Sequence, residues 1–176
     1  MFSGKTTELL RRVNRHRAVG QRVVVINHSI DNRYNNTGIA THDNYTVNSI
    51  KCNTLKEVDE SLVLKDEYDV IAIDEGQFFK DLELYVKLFV EEYGKSVLIA
   101  GLTGDYKREK FGHILDLIPF ATHIQHTKAL CVQCKDGTEA SFTLRICDSN
   151  KQIDVGAVDK YKAVCRVCYL QLNTSH

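Results

Sequence analysis

Four cysteines give the sharpest chemical signal in this chain. Cys131 and Cys134 form one C-x-x-C pair, and Cys165 and Cys168 form another. Two such knuckles bring four thiolates around one ion, which suits structural Zn²⁺ and leaves no open position for catalysis. Cys52 and Cys147 lack a partner at that spacing and are expected to be buried thiols, and none of the seven histidines is needed as a ligand. A second signal is Phe2-Ser3-Gly4-Lys5-Thr6-Thr7, which runs into helix-forming sequence. In a phosphate loop the backbone N–H groups and the helix N-terminus cradle phosphates, the lysine neutralises the β and γ oxygens, and the hydroxyl ligates Mg²⁺. The full pattern is G-x-x-x-x-G-K-[ST], so its first glycine and the strand before it fall ahead of Met1. A natural start on the order of ten residues further upstream is therefore expected. As a bare string, Gly-Lys-Thr also suits an ordinary basic segment.

The third signal is Val70-Ile71-Ala72-Ile73-Asp74-Glu75, an apolar strand that ends in two carboxylates. Phosphoryl-transferring folds place an aspartate there to reach nucleotide-bound Mg²⁺, and the neighbouring Glu75 would then act as a base or position a nucleophile. Carboxylates also follow strands simply because the chain leaves the core at that point. Paired with Gly4-Lys5-Thr6 at this separation, the two signals reinforce each other.

These groups need a scaffold, and the hydrophobic pattern supplies one. Residues 6–19 place Leu9, Leu10 and Val13 on one side and read as a helix stopped at Gly20. Residues 22–27 hold Val23, Val24, Val25 and Ile26 in succession, a buried and parallel type of strand. Residues 27–48 are polar and read as a long loop. Thr54 and Glu57 form a capping box before Leu55, Val58, Leu62 and Val63. Residues 68–73 and 96–102 read as further strands, with a helix over 81–93 directing Leu82, Tyr85, Leu88 and Phe89 inward before Gly94. Alternating helices and buried strands define an α/β layer with a mainly parallel sheet. After Lys128 the texture changes to paired cysteines and polar turns. The expected organisation is a nucleotide-binding α/β unit over 1–128 and a small zinc-ribbon-like unit over 129–176.

Composition narrows the function. The 176 residues carry 23 Lys and Arg against 23 Asp and Glu, so the basic surplus usual in a general nucleic-acid binder is missing. No run of apolar residues is long enough to be a membrane helix, and the opening residues do not read as an export signal. A reducing, cytoplasmic location is expected, and there the cysteines stay thiolates.

Met1-Phe2-Ser3-Gly4-Lys5-Thr6-Thr7-Glu8-Leu9, Asp74-Glu75-Gly76-Gln77-Phe78-Phe79, the two C-x-x-C pairs and Val164-Cys165-Arg166-Val167-Cys168-Tyr169 closely resemble type II thymidine kinases. The resemblance runs over essentially the whole chain, and Asp-Glu-Gly-Gln-Phe-Phe is highly specific by itself. It implies a P-loop NTPase-like fold with a zinc-bearing lasso, and transfer of the γ-phosphoryl group of ATP to the 5′-hydroxyl of thymidine with Mg²⁺. A homotetramer is implied as well. Glu75 is the implied base, and Asp74 helps hold Mg²⁺ beside Gln77 of the same motif. Asp31, Asn32 and Arg33 match a segment near the phosphates, with Arg33 placed to stabilise transferred charge. Gly101-Leu102-Thr103-Gly104-Asp105-Tyr106 matches a stretch in which a phenylalanine stacks on thymine. Here Tyr106 keeps the ring and adds a hydroxyl. Leu102, Phe111 and Phe78 fall on other walls of that pocket. The lasso positions are Gln152, Ile153, Asp154, Val155 and Gly156, followed by Tyr161, and Thr143 falls on a base-contacting position. Two rival readings are a zinc-ribbon P-loop ATPase that grips nucleic acid and a truncated, inactive kinase.

Overall fold

A computed structural model describes residues 2–31, 38–40, 46–60, 67–147, 151–153 and 160–173. Its centre is a four-stranded sheet in the order β4-β1-β5-β6, every pairing parallel. The strands are β1 (Val23–His28), β4 (Ile50–Cys52), β5 (Val70–Asp74) and β6 (Ser96–Ile99). Because side chains alternate across a strand, a sheet covered on both faces needs apolar residues at every position. The β1 run satisfies this. Val23 and Val25 join Val70 and Ala72 beneath Leu9, Leu10 and Val13 of helix α1 (Lys5–Ala18). Val24 and Ile26 join Ile71 and Ile73 on the opposite face, against Leu55 and Val58 of α2 (Leu55–Glu60) and Leu82, Val86 and Phe89 of the next helical segment.

The helix expected over 81–93 is helix α3 (Leu82–Lys87) continued by a π turn over Leu88–Glu92. That turn shifts the inward face, so Leu82, Val86 and Phe89 are buried while Tyr85 and Leu88 are half-buried. Glu57 accepts hydrogen bonds from the Thr54 hydroxyl and the Asn53 N–H at 3.1 and 3.3 Å, so the cap closes one residue upstream of the expected box. Leu62 and Val63 lie outside the described residues. The strand expected over 96–102 stops at Ile99. The stretch read as one loop contains a short antiparallel ribbon, β2 (Gly38–Ala40) with β3 (Thr46–Asn48), and β4, which pairs in parallel with β1, follows directly.

Beyond residue 128 the strands are antiparallel. β7 (Ala129–Leu130) pairs with β8 (Glu139–Ala140), and β9 (Phe142–Arg145) pairs with β10 (Tyr161–Val164) ahead of helix α4 (Arg166–Asn173). These elements share a small core of their own, with Leu144, Val164, Cys168 and Tyr169 among its members. Among the described residues no helix is long and apolar enough to cross a membrane.

Candidate active site and cysteine cluster

Buried polar side chains gather mainly at one end of the sheet among the described residues. Among the described residues the buried polar or charged ones are Asn27, Asp31, Asp74, Glu75, Gln77, Asp105 and Arg145. The first five sit at or just beyond the carboxyl ends of β1 and β5, where open parallel sheets place their ligands. Asn27 and Asp74 are register partners across those two strands.

Asp74 is the last residue of β5 and is 3% exposed. Its Oδ2 accepts a hydrogen bond from the Thr6 hydroxyl at 2.9 Å, and its Oδ1 accepts from the Glu75 N–H at 3.0 Å. Burial, then the neighbouring Glu75 carboxylate, pushes Asp74 up to about 7, while the Thr6 and Glu75 hydrogen bonds and the Lys5 charge oppose the rise. Glu75 follows with φ 49° and ψ 42°, a left-handed conformation that a non-glycine residue adopts only under constraint. Gln77 supplies part of that constraint. Its Nε2 donates to Glu75 Oε2 at 2.5 Å and its Oε1 accepts the Leu102 N–H at 2.9 Å. Glycines permit the close approach: a Cβ at Gly101 would lie 2.5 Å from Gln77 Oε1, and one at Gly112 would lie 2.2 Å from the Gln77 carbonyl oxygen.

The opening segment meets this cluster through α1. Gly4 precedes the helix with φ 75°, and Lys5 and Thr6 form its first turn, half-buried. Ser3 accepts a 3.1 Å hydrogen bond from the Thr127 hydroxyl, whereas Phe2 and Thr7 are exposed. Asp31 is buried, and Asn27 Nδ2 lies 3.4 Å from its Oδ2. Asn27 Oδ1 is buried with no hydrogen-bond partner among the described residues. Hydroxyl, carboxylate and amide oxygens are the hard donors that Mg²⁺ takes, so this end of the sheet fits that ion.

An aromatic wall adjoins the carboxylates. Phe78 meets Phe111 edge to face at 5.7 Å, and His28 meets Phe78 and Phe79 at 5.8 and 4.9 Å. Burial holds His28 below the usual imidazole range, so it packs here as a neutral ring. Phe111 is buried and its N–H donates to the Thr103 carbonyl, folding residues 101–112 back on themselves. Asp105 Oδ1 fixes the tip of that turn by accepting the Lys107 and Glu109 N–H groups at 2.8 and 2.9 Å. The Tyr106 carbonyl accepts the Tyr169 hydroxyl at 2.6 Å, and the Arg145 guanidinium lies over the Tyr106 ring at 3.7 Å. Tyr161 is buried on β10 directly opposite Arg145, Thr143 is half-buried on β9, and Gln152 and Ile153 are exposed.

The four cysteine sulfurs lie within 4.8 Å of one another, with Cys134 at 3.8 Å from Cys165 and 3.5 Å from Cys168. Thiolates about 2.3 Å from a central Zn²⁺ must stand roughly 3.8 Å apart, so the donor set fits that ion. Burial acts to raise Cys131, yet the N–H groups of Cys134, Cys165 and Gln133 overcome it and bring the thiol down to about 6. Donors arranged in this way favour the thiolate form that metals take. Cys52 is buried as expected, and its burial pushes it up to about 12. Cys147 is only half-buried, because it follows β9 out of the small core. A second group, Glu83, His113 and Asp116, is already neutralised by Lys87 and Lys110 and calls for no ion.

Of the residues expected at the site, Asn32, Arg33, Asp154, Val155 and Gly156 lie outside the described residues. The structure brings Thr6, Asp74, Glu75, Gln77, Leu102, Phe78 and Phe111 into one connected group. Sequence reading missed Asn27, Asp105 and Arg145. Only Arg145 left a usable trace: it stands two residues after Thr143 on a strand, and hence on the same face.

Fold and site define an α/β protein whose parallel sheet gathers carboxylates at its carboxyl end, beside a four-cysteine cluster suited to zinc. A family model for thymidine kinase matches residues 1–169. The chain is 41% identical over 170 residues to the thymidine kinase of variola virus, covering 97% of this chain and 92% of that one. It is 39% identical over 171 residues to the cytosolic thymidine kinase of Gallus gallus, covering 97% of this chain and 74% of that one. Thymidine kinase 1 of Dictyostelium discoideum is 39% identical over 173 residues, covering 96% and 74%. The chain belongs to the thymidine kinase family.

Proposed function

We propose that this chain transfers the γ-phosphoryl group of ATP to the 5′-hydroxyl of thymidine, as the name shared by its relatives suggests. The observation that carries the reading is the unbroken contact path Thr6–Asp74–Glu75–Gln77–Leu102, with Phe78 and Phe111 beside it. It joins a helix N-terminus suited to phosphates to an aromatic wall suited to a base. Gly4, Lys5 and Thr6 would receive the phosphates, with Phe2, Ser3 and Thr7 flanking them. Thr6, Asp74 and Asp31 would hold Mg²⁺, which neutralises phosphate charge when bound. Glu75, aimed by Gln77, takes the proton from the 5′-hydroxyl, and Asn32 and Arg33 serve the phosphate side. Leu102, Tyr106, Thr143 and Tyr161 enclose the base together with residues 152–156.

In this reading residues 1–128 form the phosphate-transfer unit, and residues 129–176 form a lasso unit whose ends are fastened by one Zn²⁺ on Cys131, Cys134, Cys165 and Cys168. The working form is a cytoplasmic homotetramer. Phosphoryl transfer depends on charge neutralisation, alignment and exclusion of water, and these groups supply all three. A coupled assay of ATP consumption with thymidine, deoxyuridine and deoxycytidine tests the proposal. Turnover with thymidine and none with deoxycytidine is expected. A preference for deoxycytidine, or ATP hydrolysis indifferent to nucleoside, would overturn it.

A further inference from the structure

Arg145 is 8% exposed, and a buried guanidinium needs acceptors for its donors. The structure gives acceptors to its two terminal nitrogens. Nη1 donates to the Lys151 carbonyl; Nη2 donates to the Gln152 carbonyl at 3.3 Å and to the Tyr161 hydroxyl. The guanidinium plane also covers the Tyr106 ring at 3.7 Å and lies 5.1 Å from the Tyr161 ring. One side chain therefore touches two aromatic residues from different parts of the fold and the backbone that leads into residues 152–156.

We propose that Arg145 is a positioning residue of the nucleoside pocket, setting the Tyr106 and Tyr161 rings relative to each other and anchoring the chain at Lys151 and Gln152. The inference rests on the thymidine-kinase reading of that pocket. Two features support it. Arginine has no acceptor, so the Tyr161 oxygen must receive the Nη2 proton, and its own hydroxyl proton turns elsewhere as a donor. The other is the hold on Gln152 from both ends. Its carbonyl rests on Arg145, while its Nε2 donates to Asp105 Oδ2 at 2.9 Å and to the Lys110 carbonyl at 3.3 Å. The β9–β10 hairpin is thus tied to the 101–112 turn through Arg145 and Gln152. Only a planar fork makes these contacts together, so lysine at this position keeps the charge and loses the geometry.

The test is calorimetric binding of thymidine and of ADP with Mg²⁺ to the zinc-loaded full chain and to Arg145→Lys. The variant is expected to bind thymidine at least about tenfold more weakly, equal to about 1.4 kcal/mol, with ADP affinity within about twofold and zinc content unchanged. Tyr161→Phe weakens thymidine binding by a smaller factor, and the double variant loses less than the product of the two. Thymidine affinity unchanged in Arg145→Lys overturns the inference, as does equal loss of thymidine and ADP binding. Where Arg145→Lys fails to melt cooperatively, Tyr161→Phe decides: unchanged thymidine affinity there overturns the inference. Failure of the unsubstituted chain to bind thymidine removes the functional reading itself.

Discussion

Glu75 carries the proposed base on a backbone that few side chains accept, with Gln77 holding its carboxylate at 2.5 Å. Replacing it with glutamine keeps the shape and removes the proton acceptor. Steady-state kinetics of Glu75→Gln should show phosphoryl transfer slowed by roughly two to four orders of magnitude, with nucleotide affinity near that of the unsubstituted chain. Wild-type turnover would remove Glu75 from the mechanism. Asp74 makes a different prediction because burial raises it to about 7 from an ordinary 3.8. Between those values the folded state binds a proton that the unfolded chain has released. Stability of the ligand-free chain therefore falls as pH rises from about 4 to about 7, by on the order of 2–4 kcal/mol from this one group. Asp74→Asn lacks that contribution. Thermal melts should show its advantage over the parent growing from pH 5 to pH 8, and parallel slopes would contradict the assignment.

At the scale of elements, the turn over 101–112 presses against the β5 exit with no spare room. Gly112 has φ 63°, and an added Cβ would meet the Gln77 carbonyl oxygen at 2.2 Å. That oxygen cannot retreat without moving the side chain that holds Glu75. Gly112→Ala is expected to cost more than about 3 kcal/mol in urea unfolding. Gly137→Ala, at φ 89° with open space around it, should cost only about 1–2 kcal/mol. Comparable losses would show that backbone angle, and not packing, governs both. The core elements were legible because β1 and β5 need apolar residues on both faces and have them in unbroken runs. β2, β3 and β4 escaped because strands of three residues are too short to show a period. The inward register of α3 slipped because a π turn adds a residue that periodicity does not reveal. Asp74, Glu75 and the cysteine pairs were legible as neighbours in sequence. Arg145, Asn27 and Asp105 acquire their partners only when separate segments meet, which no local pattern records.

For the molecule as a whole, the cysteine cluster and the aromatic wall are mechanically joined. Cys168 and Tyr169 are adjacent in α4, and the Tyr169 hydroxyl holds the Tyr106 carbonyl at 2.6 Å. The small core around them contains few large apolar side chains, so an ion held by the four cysteines would contribute much of its order. Chelation should therefore release amide-exchange protection in residues 129–147 and 160–173 while β1 and β5 keep theirs, and thymidine binding should weaken in step. Loss of protection throughout would show a single cooperative unit instead. A longer-term consequence follows from the left-handed turn at Glu75. Glycine there would relax the backbone by about 1–2 kcal/mol and abolish the carboxylate. Mutational drift toward a sturdier fold thus runs directly into loss of the chemistry. A lineage that retains this glutamate does so against the pull of its own stability.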